Sequence, residues 1–319
     1  MSQSKRSVFA CLVVLFLVGV VGACIGFCRE SRKAALYAAG EAAMVARRWD
    51  EAAICFQSVV DADPGYADVQ NRLAEALDNS VAYVPGGEFV MGSDTGDIDE
   101  RPQRLVYLDA FEIDRYEVTN VQYRRFLMAT RRDGPRRWEG RYEHLALKGS
   151  PDWDGHAYPP GEAMYPASGI QWQDAIAYCA WVGKRLPTEA EWEKAARGTD
   201  GRTYPWGDAW DAGRANTSDS GLQYPERVGS HPSGASPYGA LDMAGNLWEW
   251  VSDLYDRQYY GYASASNPAG PSSGTGERLL RGGAWDSSAE QARTSYRNAT
   301  HFFGPNFRVG FRCARSASG

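Results

Sequence analysis

Histidine is scarce in this chain of 319 residues: only His144, His156, His231 and His301 occur. They lie far apart and form no HExxH-like pairing, so a metal centre built on histidine is not expected. An excess of basic charge is absent too. The formal net charge is -6 and the pI is near 5.4, which argues against nucleic-acid binding, since no basic face is evident. Six cysteines are present, and four of them (Cys11, Cys24, Cys28 and Cys55) fall in the first 55 residues. Long regular elements are few in the remainder. Gly 34, Trp 11 and Tyr 18 point instead to irregular backbone held by aromatic packing.

Charge is also missing from Val8 to Phe27, twenty residues in a row. That length can just span a bilayer. Lys5 and Arg6 precede it, and Arg29, Arg32 and Lys33 follow, so flanking charge does not set the orientation. Residues 1–30 read as an uncleaved signal anchor. A cleaved signal peptide, or a lipoprotein signal at Val21–Cys24, stays open. Each of these readings places the rest of the chain outside the cytoplasm. The expected location is the bacterial inner membrane, single-pass, with the main domain periplasmic or extracellular.

Residues 31–79 are rich in alanine and helix formers. Gly40, Ala52, Phe56 and Pro64 sit at offsets that resemble a tetratricopeptide repeat. Trp49 would open its second helix, Asp63-Pro64 would close it, and Tyr66 to Leu77 would begin another unit. One and a half units are too few for a free-standing solenoid, so a stalk or docking pair is expected.

Composition changes near Ser80, and residues 80–319 form the main domain. Val81 to Gly92 reads as strand, turn, strand. Arg104 to Ile113 alternates as a further strand, with Val106, Leu108 and Phe111 inward. A helix follows Tyr116–Asn120, capped by Thr119 or Asn120. Trp172 to Val182 is helical by its apolar spacing, and Gly183 ends it. The next helix starts at Pro187–Glu191, where Thr188 and Glu191 form a capping box, and Gly198 stops it.

One stretch, Leu241 to Asp253, concentrates oxygen donors. Asp242, Gly245, Asn246 and Glu249 lie within eight positions, beside Trp248 and Trp250. Hard oxygens and a glycine that lets the backbone turn are what calcium requires. A tight turn entering a buried strand explains the same residues without a metal.

Seven blocks then carry a resemblance: GGEFVMGS (86–93), YEVTN (116–120), AYCAWVGKRLPTEAEWEKAARG (177–198), YPWG (204–207), DMAGNLWEW (242–250), RGGAW (281–285) and GFRCA (310–314). In this order they resemble the formylglycine-generating enzyme, or sulfatase-modifying factor, family from Val81 to Ala314. The resemblance implies an α+β, C-type-lectin-like fold with little regular secondary structure. It implies a structural calcium ion held by the side chains of Asp242 and Glu249 and the carbonyls of Gly245 and Leu247. It also implies a disulfide between Cys179 and Cys313, and hence an oxidising compartment.

The same resemblance locates the chemistry. Family enzymes oxidise a substrate cysteine with a pair of copper-binding cysteines, because soft thiolates select Cu(I). The matching positions here are Ser287 and Ala292, and Ala284 stands for a family serine. No catalytic residue and no copper are therefore expected. A non-catalytic module recognising an envelope protein or a glycan is the primary reading. Its surface would be Trp285, Asp286, Ser287, Tyr296, Arg297, His301, Phe303 and Asn306. An oxidoreductase-type enzyme with altered chemistry and a diversified ligand-binding protein are the alternatives.

Overall fold

The computed structural model describes residues 29–135, 153, 155–273, 276–300 and 306–317. Val8–Phe27 lies outside these residues. Among the described residues no helix is long and apolar enough to cross a membrane. The chain divides into two compact units between Ala76 and Leu77.

The first unit is helical. Its helices are α1 (residues 29–45), α2 (Trp49–Ala62) and most of α3 (Val69–Asn79). Ala52, Phe56 and Val59 of α2 are buried, as the apolar spacing requires. Gly40 allows close approach of α1, because a Cβ there would lie 2.6 Å from the Phe56 ring. Lys33 bonds Asp63 at 2.8 Å just beyond α2.

The second unit contains three small sheets. In the first, β1 (Val81–Val84), β4 (Phe111–Asp114) and β9 (Ala314–Ser316) lie in the order β1-β4-β9, all antiparallel. In the second, β2 (Gly87–Met91) pairs with β3 (Arg104–Leu108). The third has the order β7-β6-β5-β8, from Asn298–Thr300, Arg278–Arg281, Trp248–Leu254 and Val309–Phe311. The expected strand over 104–113 is two strands in different sheets, broken at Asp109-Ala110. Val106, Leu108 and Phe111 point inward nevertheless.

Three helices pack on these sheets. α4 (Asn120–Thr130) begins at Thr119, whose amide and hydroxyl both donate to Gln122 Oε1, at 3.0 and 2.8 Å. α5 (Trp172–Trp181) and α6 (Glu189–Arg197) occupy the expected segments. The capping box of α6 is present: Glu191 N–H donates to Thr188 Oγ1, and Thr188 N–H donates to Glu191 Oε2. Cys179 on α5 is joined to Cys313, with 5.6 Å between the Cα atoms. The bridge lies in an apolar cluster with Tyr178, Trp248, Trp250 and Phe311.

α6 is unusual because every residue in it is buried, including Glu189, Glu193, Lys194 and Arg197. Buried charges persist only when paired. Glu193 meets Arg197 at 2.8 Å and Arg281 at 2.7 Å. Glu189 meets Arg297 at 2.7 Å. Lys194 Nζ donates to the carbonyls of Pro85 and Gly87. A polar network therefore runs through the middle of the unit and joins α6 to β6 and to the segment before β7.

Candidate functional site

The 242–249 loop turns through left-handed backbone at Asp242 (φ 59°), Gly245 (φ 80°) and Asn246 (φ 65°). Gly245 has no substitute here, since a Cβ would sit 2.2 Å from the Asn216 carbonyl oxygen. Asn246 is the central polar link. Its side-chain amide donates to Glu117 Oε2 at 2.6 Å, and its carbonyl oxygen accepts from the Glu226 N–H at 2.8 Å. Its own N–H donates to the Asn216 carbonyl. Leu247 N–H donates to Glu117 Oε1 at 3.0 Å. Asp242 Oδ2 accepts from Gly229 N–H at 2.7 Å.

Glu249 opens β5 and is fully buried. Arg312 grips it with two bonds of 2.7 Å, and the Trp192 indole N–H adds a third at 2.9 Å. Glu117 and Arg312 were not singled out from sequence. Their signal lay in the YEVTN and GFRCA blocks, each holding one charged residue that ends up buried.

The electrostatics bear on a cation. Burial pushes the Glu117 carboxyl well above its ordinary range, and the nearby charges of Asp242 and Glu249 push it further. Asp242 is raised to about 6, mainly by burial, although the Gly229 amide and Arg312 oppose the shift. Burial and mutual repulsion thus favour the protonated forms of Glu117 and Asp242, and a cation bound at the loop would offset that repulsion. Among the described residues no three or more His, Cys, Asp or Glu side chains converge as a metal cluster. A set of two side chains and two carbonyls is compatible with that. Asp242 uses one oxygen for Gly229. Glu249 would have to share oxygens already bonded to Arg312 and Trp192, and Oε1, which accepts only from Arg312 among the described residues, retains a lone pair. The residues present thus fit calcium in donor type.

The two positions of the expected cysteine pair come together. A Cβ on Gly283 would lie 3.3 Å from both Ser287 Cβ and Ala292 Cα. Both residues are buried. Ser287 Oγ accepts from the Ala284 N–H at 2.9 Å, so the hydroxyl is used in the turn. Ala292 packs with Ala215 and Ala244 beneath Trp206 and Trp210. Neither position can deliver a thiolate.

The expected ligand surface divides. Arg297 is turned inward. Its Nε and Nη2 donate to Glu189, and its Nη1 donates to the carbonyls of Asp99 and Asp256. This corrects its placement on an open surface: the charge is consumed by a buried partner. Trp285 and Ser287 are likewise buried, and Tyr296 packs against Trp248 with ring centroids 5.9 Å apart.

The outer remainder is a cluster centred on Arg308. Its guanidinium lies over Trp285 and Phe307, at 5.7 and 5.6 Å, and bonds Asp286 at 2.8 Å. Trp285 and Phe307 stack at 6.1 Å. Trp285 Nε1 is buried with no acceptor among the described residues. Asn306 Oδ1 accepts from the Arg308 N–H. His301 and Phe303 lie outside the described residues. Arg308 was missed in the sequence because nothing local separates it from strand residues.

Comparison with known proteins agrees with this arrangement. A model of the sulfatase-modifying factor enzyme 1-like domain matches residues 66–317. The formylglycine-generating enzyme of Streptomyces coelicolor is 34% identical over 281 residues, covering 73% of this chain and 88% of that protein. The serine/threonine-protein kinase pkn1 of Chlamydia caviae is 36% identical over 247 residues, or 76% of this chain. The match spans only 38% of that kinase. Among solved structures, PvdO from Pseudomonas aeruginosa superposes with a TM-score of 0.61 at 29% identity, covering 74% of this chain and 94% of PvdO. From the motif order, the fold and these matches, the chain belongs to the sulfatase-modifying factor family, whose members include formylglycine-generating enzymes.

Proposed function

We propose that this chain is a non-catalytic member of its family, an extracytoplasmic binding module held at the bacterial membrane by its N-terminal segment. The observation that carries the reading is the pair Ser287 and Ala292 flanking Gly283. Copper-dependent oxidation of a cysteine needs two soft thiolates there, and the chain supplies a hydroxyl already bonded to Ala284 and a methyl group. The Cys179–Cys313 bridge supports an oxidising compartment. The Arg308–Trp285–Phe307 cluster supports recognition of a protein or glycan at the same face, because aromatic and arginine side chains supply most binding energy at interfaces. Calcium belongs to this reading as a structural ion at Asp242, Gly245, Leu247 and Glu249.

The test is direct. The purified chain is incubated with Cu(I), oxygen and a cysteine-containing peptide, and the peptide is analysed by mass spectrometry. No conversion of thiol to aldehyde is expected, and no copper at one per chain. The double variant S287C/A292C should take up Cu(I) at one per chain. Turnover by the unmodified chain would refute the proposal.

A further inference from the structure

A groove of about 630 Å³ runs between α5 and the segments 108–111 and 267–269. It shares no lining residue with the Arg308 cluster or with the Ser287–Ala292 pair. Its walls are mainly apolar, with Phe111, Trp172, Ile176, Leu186 and Ala269 among them. Of its charged residues, Asp109 is exposed and bonded only to Asn267 among the described residues, and the others are paired. Arg185 holds Glu191 through two bonds of 2.6 Å, and Lys184 is bonded to Asp114.

One cation beside the groove has no ion pair among the described residues. The guanidinium of Arg278 stacks on Trp172, 3.6 Å from the ring centroid. Its Nε is buried with no acceptor among the described residues. Burial lowers its pKa, and no acidic neighbour raises it. A guanidinium fixed by stacking on a groove wall, with no ion pair among the described residues, can receive a carboxylate on its terminal N–H groups.

Backbone is available at the other side. Ala314 exchanges both of its backbone bonds with Arg185, at 2.9 and 2.7 Å, on the outer edge of β9. Ala317 N–H turns the other way, to the Ala110 carbonyl. By strand alternation Ser316 therefore presents its N–H and C=O outward, along the edge that Arg185 leaves uncovered. Ser316 is exposed and lines the groove. An open edge is what an extended peptide pairs with. A sugar is the poorer occupant, because one face of the Trp172 ring is already covered by Arg278.

We infer that this groove binds an extended polypeptide segment of a partner protein, with apolar side chains against Trp172 and Ile176, backbone at Ser316 and an Asp or Glu carboxylate on Arg278. The inference does not depend on what the Arg308 face binds.

The test begins with random peptides displayed on phage and selected against the full chain, followed by affinity measurement on synthesised winners. Enriched sequences should carry an acidic residue among apolar ones. Changing that residue to Gln or Asn in the peptide should weaken binding about tenfold or more, the value of a charge-assisted bond. R278Q should produce a similar loss, and Ile176→Asp and Ser316→Pro should each reduce affinity. Arg308→Ala should leave it unchanged. Because the peptide substitution is read on the unaltered chain, the result stands even if a protein variant misfolds. No enrichment, no acidic preference, or affinity that survives R278Q and Ile176→Asp would overturn the inference. Binding lost on Arg308→Ala alone would overturn it too, while leaving the proposed function intact.

Discussion

Asp253 gives the sharpest quantitative test of the buried polar network. It lies in β5, almost wholly buried, with Oδ2 accepting from the Glu189 N–H and the Ser252 hydroxyl, both at 2.9 Å. Burial raises its pKa to about 7, and the Glu189 charge adds to the shift, while the two hydrogen bonds oppose it. A carboxyl whose pKa is higher in the folded state binds its proton more tightly there. Its contribution to stability therefore falls as pH rises from the unfolded pKa of 3.8 to the folded value, and is constant above it. The full difference is about 4 kcal/mol. Between pH 5 and pH 8 about 2 to 3 kcal/mol of it should be lost.

Asp253→Asn keeps an oxygen acceptor for the Glu189 amide and removes the titration. The assay is denaturant unfolding of both proteins from pH 5 to pH 8, reading the difference in stability. Subtracting one protein from the other cancels the titration of groups common to both. The variant should gain on the unmodified protein steadily as pH rises, by about 2 to 3 kcal/mol in total. A difference that stays constant across that range, or that grows in favour of Asp253, would refute the account of a desolvated carboxyl beside Glu189.

Three further outcomes follow from the geometry. Adding millimolar calcium to chelator-treated protein should raise the melting temperature, as binding to the folded state alone requires; an unchanged melt would remove calcium from the 242–249 loop. Replacing Cys179 and Cys313 by alanine opens a loop spanning 134 positions and should cost about 4 to 5 kcal/mol in the chain-entropy model, measured by denaturant unfolding. Gly245→Ala combines a left-handed backbone with a Cβ 2.2 Å from the Asn216 oxygen; it should destabilise by about 2 kcal/mol or more, and a neutral melt would show that the loop relaxes freely.

Local rules were readable in the sequence and remote pairings were not. The start of α6 followed from Thr188 and Glu191, three positions apart, and its end from Gly198. The break at Asp109-Ala110 was hidden because alternation continues on both sides while the strands enter different sheets. Arg297 looked like a surface group because its partner Glu189 lies 108 positions earlier. The grip of Arg312 on Glu249 spans 63 positions, and spacing within one segment cannot reveal such a contact. α6 misleads in the same way: Trp192, Ala195 and Ala196 form an apolar stripe, so the opposite arc with Glu189, Glu193 and Arg197 reads as a solvated face, and only the distant cations and carboxylates that meet it show that it is buried.

The fully buried guanidinium of Arg281 has a consequence for assembly. It sits opposite Glu249 in the β5–β6 register and reaches Glu193 and the carbonyls of Thr294 and Ser295. Strands of three to seven residues offer little alternation by which to tell one pairing from the next. A slip of β6 by one residue would turn Arg281 to the opposite face of the sheet. It would strip Glu193 of one of its two cations in a dry interior, at a cost of about 3 to 5 kcal/mol. The polar centre therefore works as a key, rejecting misregistered sheets that apolar packing alone would tolerate.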